Sequence, residues 1–126
     1  MEKQTVTTYK DLVVWQKGIE LVNEIYVVTR IFPKEEMFGL TNQLRRAAIS
    51  IPANIAEGWG RSSTKNYVQF IKISLGSLFE LETLIIIAKD QNYLEEQIMN
   101  KISVEITEIG KMLNKLIHNL ENYIKK

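Results

Sequence analysis

Four segments of this chain place apolar residues at steps of three and four, and no other property of the sequence restricts its fold so tightly. The last segment is the most regular, with Ile102, Ile106, Ile109, Leu113, Leu116, Leu120 and Tyr123. The third runs through Tyr67, Ile71, Ser74, Leu78, Leu81, Ile85 and Ala88, the second through Leu40, Leu44, Ala47, Ala48, Ile51 and Ile55. In the first the row is Leu12, Trp15, Ile19, Val22, Tyr26 and Thr29. Such spacing gathers side chains on one face of an α-helix. Steps averaging about 3.5 residues make the narrow left-handed seam of coiled coils and four-helix bundles.

The two prolines and six glycines punctuate these segments. Helices are expected over about 11–32, 38–58, 63–91 and 94–124. Asp11 is the expected N-cap of the first, and Pro33 ends it, because the residue before a proline avoids the α region. Gly58 or Gly60 is expected to close the second in the left-handed conformation, and Ser62 or Ser63 to cap the third. The last two helices, at 1.5 Å per residue, would each be roughly 45 Å long. Short connections turn neighbours antiparallel. No run alternates with period two, so no strand is expected. The chain reads as all-α, one domain over residues 1–126, a left-handed antiparallel up-down-up-down four-helix bundle.

Composition narrows the chemistry. Sixteen Lys and Arg against 15 Asp and Glu leave a net charge of +1, too little for a global basic field. Without cysteine there is no disulfide, thiolate metal site or cysteine nucleophile. The one histidine, His118, lies off the fourth seam and is expected to face solvent; Lys115 stands where a di-iron Glu-x-x-His pair would need its glutamate. Glu80 and Glu82, two apart on a helix, point to different sides, and "GWGR" lacks the length and lysine of a P-loop. No cofactor, metal or catalytic residue is expected. The longest apolar run, "LIIIA" at 84–88, is far short of the roughly 20 residues that span a bilayer. These features predict a soluble cytoplasmic protein that is not an enzyme and has no membrane partner.

The third helix carries more apolar residues than one seam uses: Val68, Leu75, Phe79 and Ile86 on one flank, Phe70, Ile73, Leu84 and Ile87 on the other. The first has a second row, Val14, Leu21, Ile25, Val28 and Phe32. Large apolar patches outside a core mark interfaces, which predicts a homo-oligomer. A monomer with a wide core is the alternative.

In "LRRAAISIPANIAEGWGR" (44–61), Arg46, Ser50, Asn54, Glu57 and Arg61, together with Gln43, form a polar stripe beside the apolar one. Pro52 removes a backbone donor and crowds the carbonyl of Ala48, so the helix is expected to kink or to restart with Ser50 or Ile51 as a cap. Glu80 and Glu82 are expected to meet Arg45 or Arg46, and Ser74 and Ser77 to bond the amide of Asn54. A structural role for these arginines competes with a second reading, in which Arg45, Arg46, Arg61, Lys65 and Trp59 form a patch for phosphate or stacked bases.

"FGLTNQLRRAAISIPANIAEGWGRSS" and "FIKISLGSLFELETLIIIA", preceded by "YKDLVVWQKGIEL" and "FPKEEMFGL", resemble the 23S rRNA-intervening-sequence protein family over about residues 9–95. The motif positions are Gly39, Leu40, Gln43, Arg45, Arg46, Ser50, Pro52, Asn54, Ile55, Glu57, Gly58, Ser77, Leu78, Glu80, Leu81 and Glu82. The resemblance implies a left-handed antiparallel bundle assembling as a ring-shaped homopentamer, with no enzymatic activity established for the family. A related branch includes the accessory protein of diversity-generating retroelements, a basic pentamer that binds a reverse transcriptase and nucleic acid. This sequence departs from that branch in being almost neutral. The expected function is a non-enzymatic oligomeric scaffold for RNA or an RNA-handling protein; the alternatives are a protein-interaction module without nucleic-acid contact and a small-molecule binder.

Overall fold

The computed structural model describes residues 5–125. A 3₁₀ turn at Tyr9–Asp11 leads into α1 (Val13–Thr29), and a second, Lys34–Glu36, precedes α2 (Leu40–Trp59). Helices α3 (Thr64–Asp90) and α4 (Glu96–Lys125) complete a four-helix bundle, and no strand occurs among the described residues. Helix α2 packs on α1 and α3, α3 on α4, and α4 more thinly on α1; among the described residues the backbones of α1 and α3, and of α2 and α4, lie diagonally apart across the core.

Most of the rows expected in α2 and α3 form the core, but Leu40 and Tyr67 are only half-buried, and Val68 and Leu84, expected among the surplus apolar residues of α3, are buried with it. Leu44, Ile51, Ile55, Ile71, Leu78, Leu81 and Ile85 are almost fully buried, with Ala47, Ala48 and Ala88 in the tighter places between them. Helix α4 adds Ile102, Ile106, Ile109 and Leu113. Beyond Leu113 the buried position is Ile117 instead of Leu116, and Tyr123 is exposed, so the seam drifts round the last turns. An unsupercoiled helix shows this drift, since 3.6 residues per turn do not match a step of 3.5.

Helix α1 corrects the expectation. Its core row is Val14, Gly18, Leu21, Ile25 and Thr29, continuing to Phe32, whereas Leu12, Trp15, Val22 and Tyr26 are only half-buried. The row expected to face a second subunit is therefore the one that faces the bundle. Gly18 explains why: a Cβ there would lie 3.3 Å from the Cβ of Pro52, so this face of α1 is the one that fits closely against α2.

The helix ends also differ in detail. Asp11 closes a 3₁₀ turn instead of capping α1; its Oδ2 accepts from the backbone N–H of Thr7 at 2.9 Å and of Thr8 at 3.2 Å, and from the Thr7 hydroxyl. Those bonds hold its carboxyl below the ordinary carboxylate range. Helix α2 does not restart at Pro52 but runs through it, with the proline buried inside. Gly58 lies within α2, and Gly60 caps it at φ −77°, so neither takes the left-handed conformation. That conformation appears at Asn92, φ 65°, after α3. There Tyr93 N–H donates to the Ala88 carbonyl and Asn92 N–H to that of Lys89, the paired bonds of a Schellman motif. Ser63 caps α3, its hydroxyl accepting from Asn66 N–H at 3.1 Å.

Candidate functional site

Pro52 leaves a gap in the α2 hydrogen-bond ladder, and the small polar residues of the motif collect around it. Asn54 Nδ2 donates to the Ser50 carbonyl at 2.7 Å and to Ser50 Oγ at 2.8 Å. Across the α2–α3 contact, Ser77 Oγ donates to Ser50 Oγ at 2.8 Å, and the fully buried Ser74 donates to the Ile51 carbonyl at 2.9 Å. Both serines thus reach the expected turn, but through Ser50 and Ile51 instead of the Asn54 amide, whose donors are taken up within its own helix. The network rivets α3 to the weakened turn of α2. No buried side-chain nitrogen or oxygen among the described residues lacks a partner.

The arginines separate. Arg45 turns to α1, where its Nε donates to Thr29 Oγ1 at 2.9 Å and its guanidinium lies over the Tyr26 ring at 4.5 Å. Thr29 in turn donates to the Ile25 carbonyl at 2.7 Å. Arg46 faces the other way, into a groove between α2 and α3 lined also by Gln43, Ser50 and Glu80. Among the described residues, no ion pair joins Arg45 or Arg46 to Glu80 or Glu82. The expected pairs fail because Arg45 and Arg46, adjacent on a helix, point about 100° apart, which sends Arg45 to α1 while Arg46 and Glu80 share a groove without closing.

At the α2–α3 turn the aromatic residues come together. Trp59 meets Tyr67 edge-on at 6.3 Å between centroids, and burial raises the Tyr67 phenol above its ordinary pKa. Arg61 lies over the Phe70 ring at 4.6 Å and pairs with Glu57 at 2.9 Å, so its charge is partly matched within α2. Exposed Lys65 lines a shallow cleft with Lys72, Glu121 and Lys125, where Lys72 and Glu121 are 3.4 Å apart. Trp59, Arg61 and Lys65 therefore share one end of the α2–α3 pair, though Arg61 and Lys65 stand on different surfaces.

A second charged cluster escaped the sequence reading. Between α1 and α4, Lys17 pairs with Glu108 at 2.8 Å and Lys101 with Glu24 at 3.2 Å, and Glu20 and Glu105 line the same small cavity of about 150 Å³. Burial, a hydrogen bond with Glu24 and the neighbouring negative charge push the Glu105 carboxyl up to about 7. Lys17, bonded to Glu108, is raised as well. The spacings Lys17, Glu20, Glu24 and Lys101, Glu105, Glu108 follow helical steps, a signal that hydropathy does not register. His118 is exposed and contacts Asn122. Among the described residues no three His, Cys, Asp or Glu side chains are grouped to hold a metal ion. None of the helices is long and apolar enough to cross a membrane.

The comparisons with known proteins agree with this architecture. A solved structure of a protein with unknown function from the S23 ribosomal protein family of Bacteroides thetaiotaomicron VPI-5482 matches with a TM-score of 0.76 and 25% identity. The match covers 83% of this chain and 98% of that one. No curated protein matches the chain. The sequence pattern of the 23S rRNA-intervening sequence protein family fits residues 10–115, which takes in all of α1, α2 and α3 and much of α4, and the chain therefore belongs to that family.

Proposed function

We propose that this protein is a non-enzymatic scaffold of the cytoplasm, a single left-handed antiparallel up-down-up-down bundle that assembles as a ring of copies, five by family likeness, and holds RNA or an RNA-handling protein. One observation carries the reading. On α3, Ile73, Phe79, Ile86 and Ile87 stay between 41% and 55% exposed although the core beneath them is complete. Apolar surface of this extent on one helix is what an interface removes from water. At the turn, Arg61 over the Phe70 ring, with Trp59 close by and Lys65 at the same end, puts a cation beside aromatic rings, a combination that suits stacked bases and phosphates.

The ion pair of Arg61 with Glu57 and the net charge of +1 favour a second reading, a scaffold for proteins alone. Light scattering on the purified protein, with the ratio of absorbance at 260 and 280 nm, tests both. Assembly with bound RNA supports the first, provided that affinity falls steeply with salt and that Arg61→Glu or Lys65→Glu weakens it. Assembly with absent or salt-independent RNA binding selects the second, and a monomer overturns the scaffold itself.

A further inference from the structure

Two of the glycines inside the long helices have a visible reason, and a third makes only an ordinary contact. A Cβ at Gly18 would lie 3.3 Å from Pro52 and at Gly58 2.8 Å from the Cβ of Phe70, while at Gly110 it would meet Leu78 at 3.4 Å, normal packing distance. Gly76 has none: a Cβ built there meets no described atom within 4 Å. It stands in the middle of α3, exposed, where glycine weakens a helix relative to alanine. No contact among the described residues repays that weakness.

Gly76 lies in a row with Ile73, Glu80 and Ile87, spaced by three, four and seven residues and so on one side of α3, about opposite the buried Leu78, Leu81 and Ile85. Ile73 and Ile87 are exposed at the two ends of the row. Glu80 borders the groove that also holds Gln43 and Arg46 of α2. Among the described residues Arg46 and Glu80 take part in no ion pair. The face therefore offers two apolar ends, a bare backbone between them, and one unmatched charge of each sign. A surface that presents both signs without net charge is complementary to another surface of mixed sign, and a nearly neutral chain supplies one in its own copies. A nucleic acid would need a cationic face and gains nothing from Glu80.

From this we infer that the Ile73, Gly76, Glu80, Ile87 face of α3, with Arg46 beside it, is where a second copy of the chain packs, its backbone or side chains coming close over Gly76. The inference rests on the reading of the protein as an assembly and names the contact that makes it. Gly76 is then kept because a side chain there would hold the copies apart.

The test uses the whole chain. Light scattering and circular dichroism are measured on wild type, Gly76→Trp, Glu80→Arg and Glu80→Gln. Open space around Gly76 lets the tryptophan fold, so helicity should stay near wild type while the mass falls to that of one chain, 14.6 kDa. Glu80→Arg should also lower the mass, and Glu80→Gln, which removes the charge without reversing it, should lower it less. Gly76→Trp and Glu80→Arg that both assemble as wild type does would overturn the inference while leaving the assembly intact. A wild type of 14.6 kDa would instead sink the assembly reading and this contact with it.

Discussion

Gly58 shows how much one hydrogen atom matters at the α2–α3 turn. Its missing Cβ would stand 2.8 Å from Phe70 Cβ, 2.9 Å from Tyr67 Cδ1 and 3.2 Å from the Tyr67 carbonyl, and the last of these is backbone that cannot rotate away. Gly58→Ala should therefore destabilise the fold by about 1–3 kcal/mol, the usual range for overpacking, despite the better helix propensity of alanine. Urea denaturation would measure it, and an unchanged midpoint would contradict the close contact. The tryptophan and tyrosine nearby should lose their fixed packing first. Residues of this kind are poorly legible in a sequence. Gly18 carries no hydropathy, so the row through it looked broken, and the rival row of Leu12, Trp15 and Val22 looked whole. The sequence offers Glu80 and Glu82 as partners for Arg45, but its actual partners Thr29 and Tyr26 are brought to it by the fold across the α1–α2 contact, which no local spacing encodes.

Among the elements, α2 and α3 were legible because leucine, isoleucine and alanine recur along their core rows, and Pro52 sits on the buried side, where Ser50, Asn54 and Ser74 engage the neighbouring carbonyls and hydroxyls. The α1–α4 contact was not legible, since charged residues make up much of it. Its pH response follows from Glu105. The native carboxyl is raised from 4.5 to about 7, so between those values the folded protein keeps a proton that the unfolded chain has released. Stability from this group is therefore full below about pH 4.5, falls as pH rises through the window, and is gone above about 7. Asp11, lowered by its Thr7 and Thr8 bonds, acts only in more acid solution, and Lys17, raised by Glu108, only in alkali. Thermal melting at about pH 5, near the low end of the window, and at about pH 8, about one unit above its high end, should give the lower transition at the higher pH. In Glu105→Gln that difference should shrink, because the amide keeps the neutral, hydrogen-bonding form at both pH values. An undiminished difference in the variant would assign the effect elsewhere.

For the whole molecule, the uneven contacts between helices set an order of stability. Helices α2 and α3 meet most extensively, α3 and α4 and then α1 and α2 less so, and α1 and α4 least. Local opening costs least where packing is thinnest. Amide hydrogen exchange should accordingly be slowest in the middle of α2 and α3 and faster in α1 and in the last turns of α4, where Tyr123 and Ile124 are exposed. Uniform protection across the four helices would show one cooperative unit instead. The fold class was legible at this scale because a neutral, cysteine-free chain with four long apolar rows has few other ways to bury them. The same ordering bears on synthesis. Residues 40–90 emerge from the ribosome ahead of α4, so the best-packed pair can begin to close while the α4 side of α3 is still bare. During that interval the nascent chain shows Leu78, which the finished bundle sets against Gly110 of α4, to its surroundings, and bare apolar surface of that kind is what makes a partly folded chain prone to aggregate.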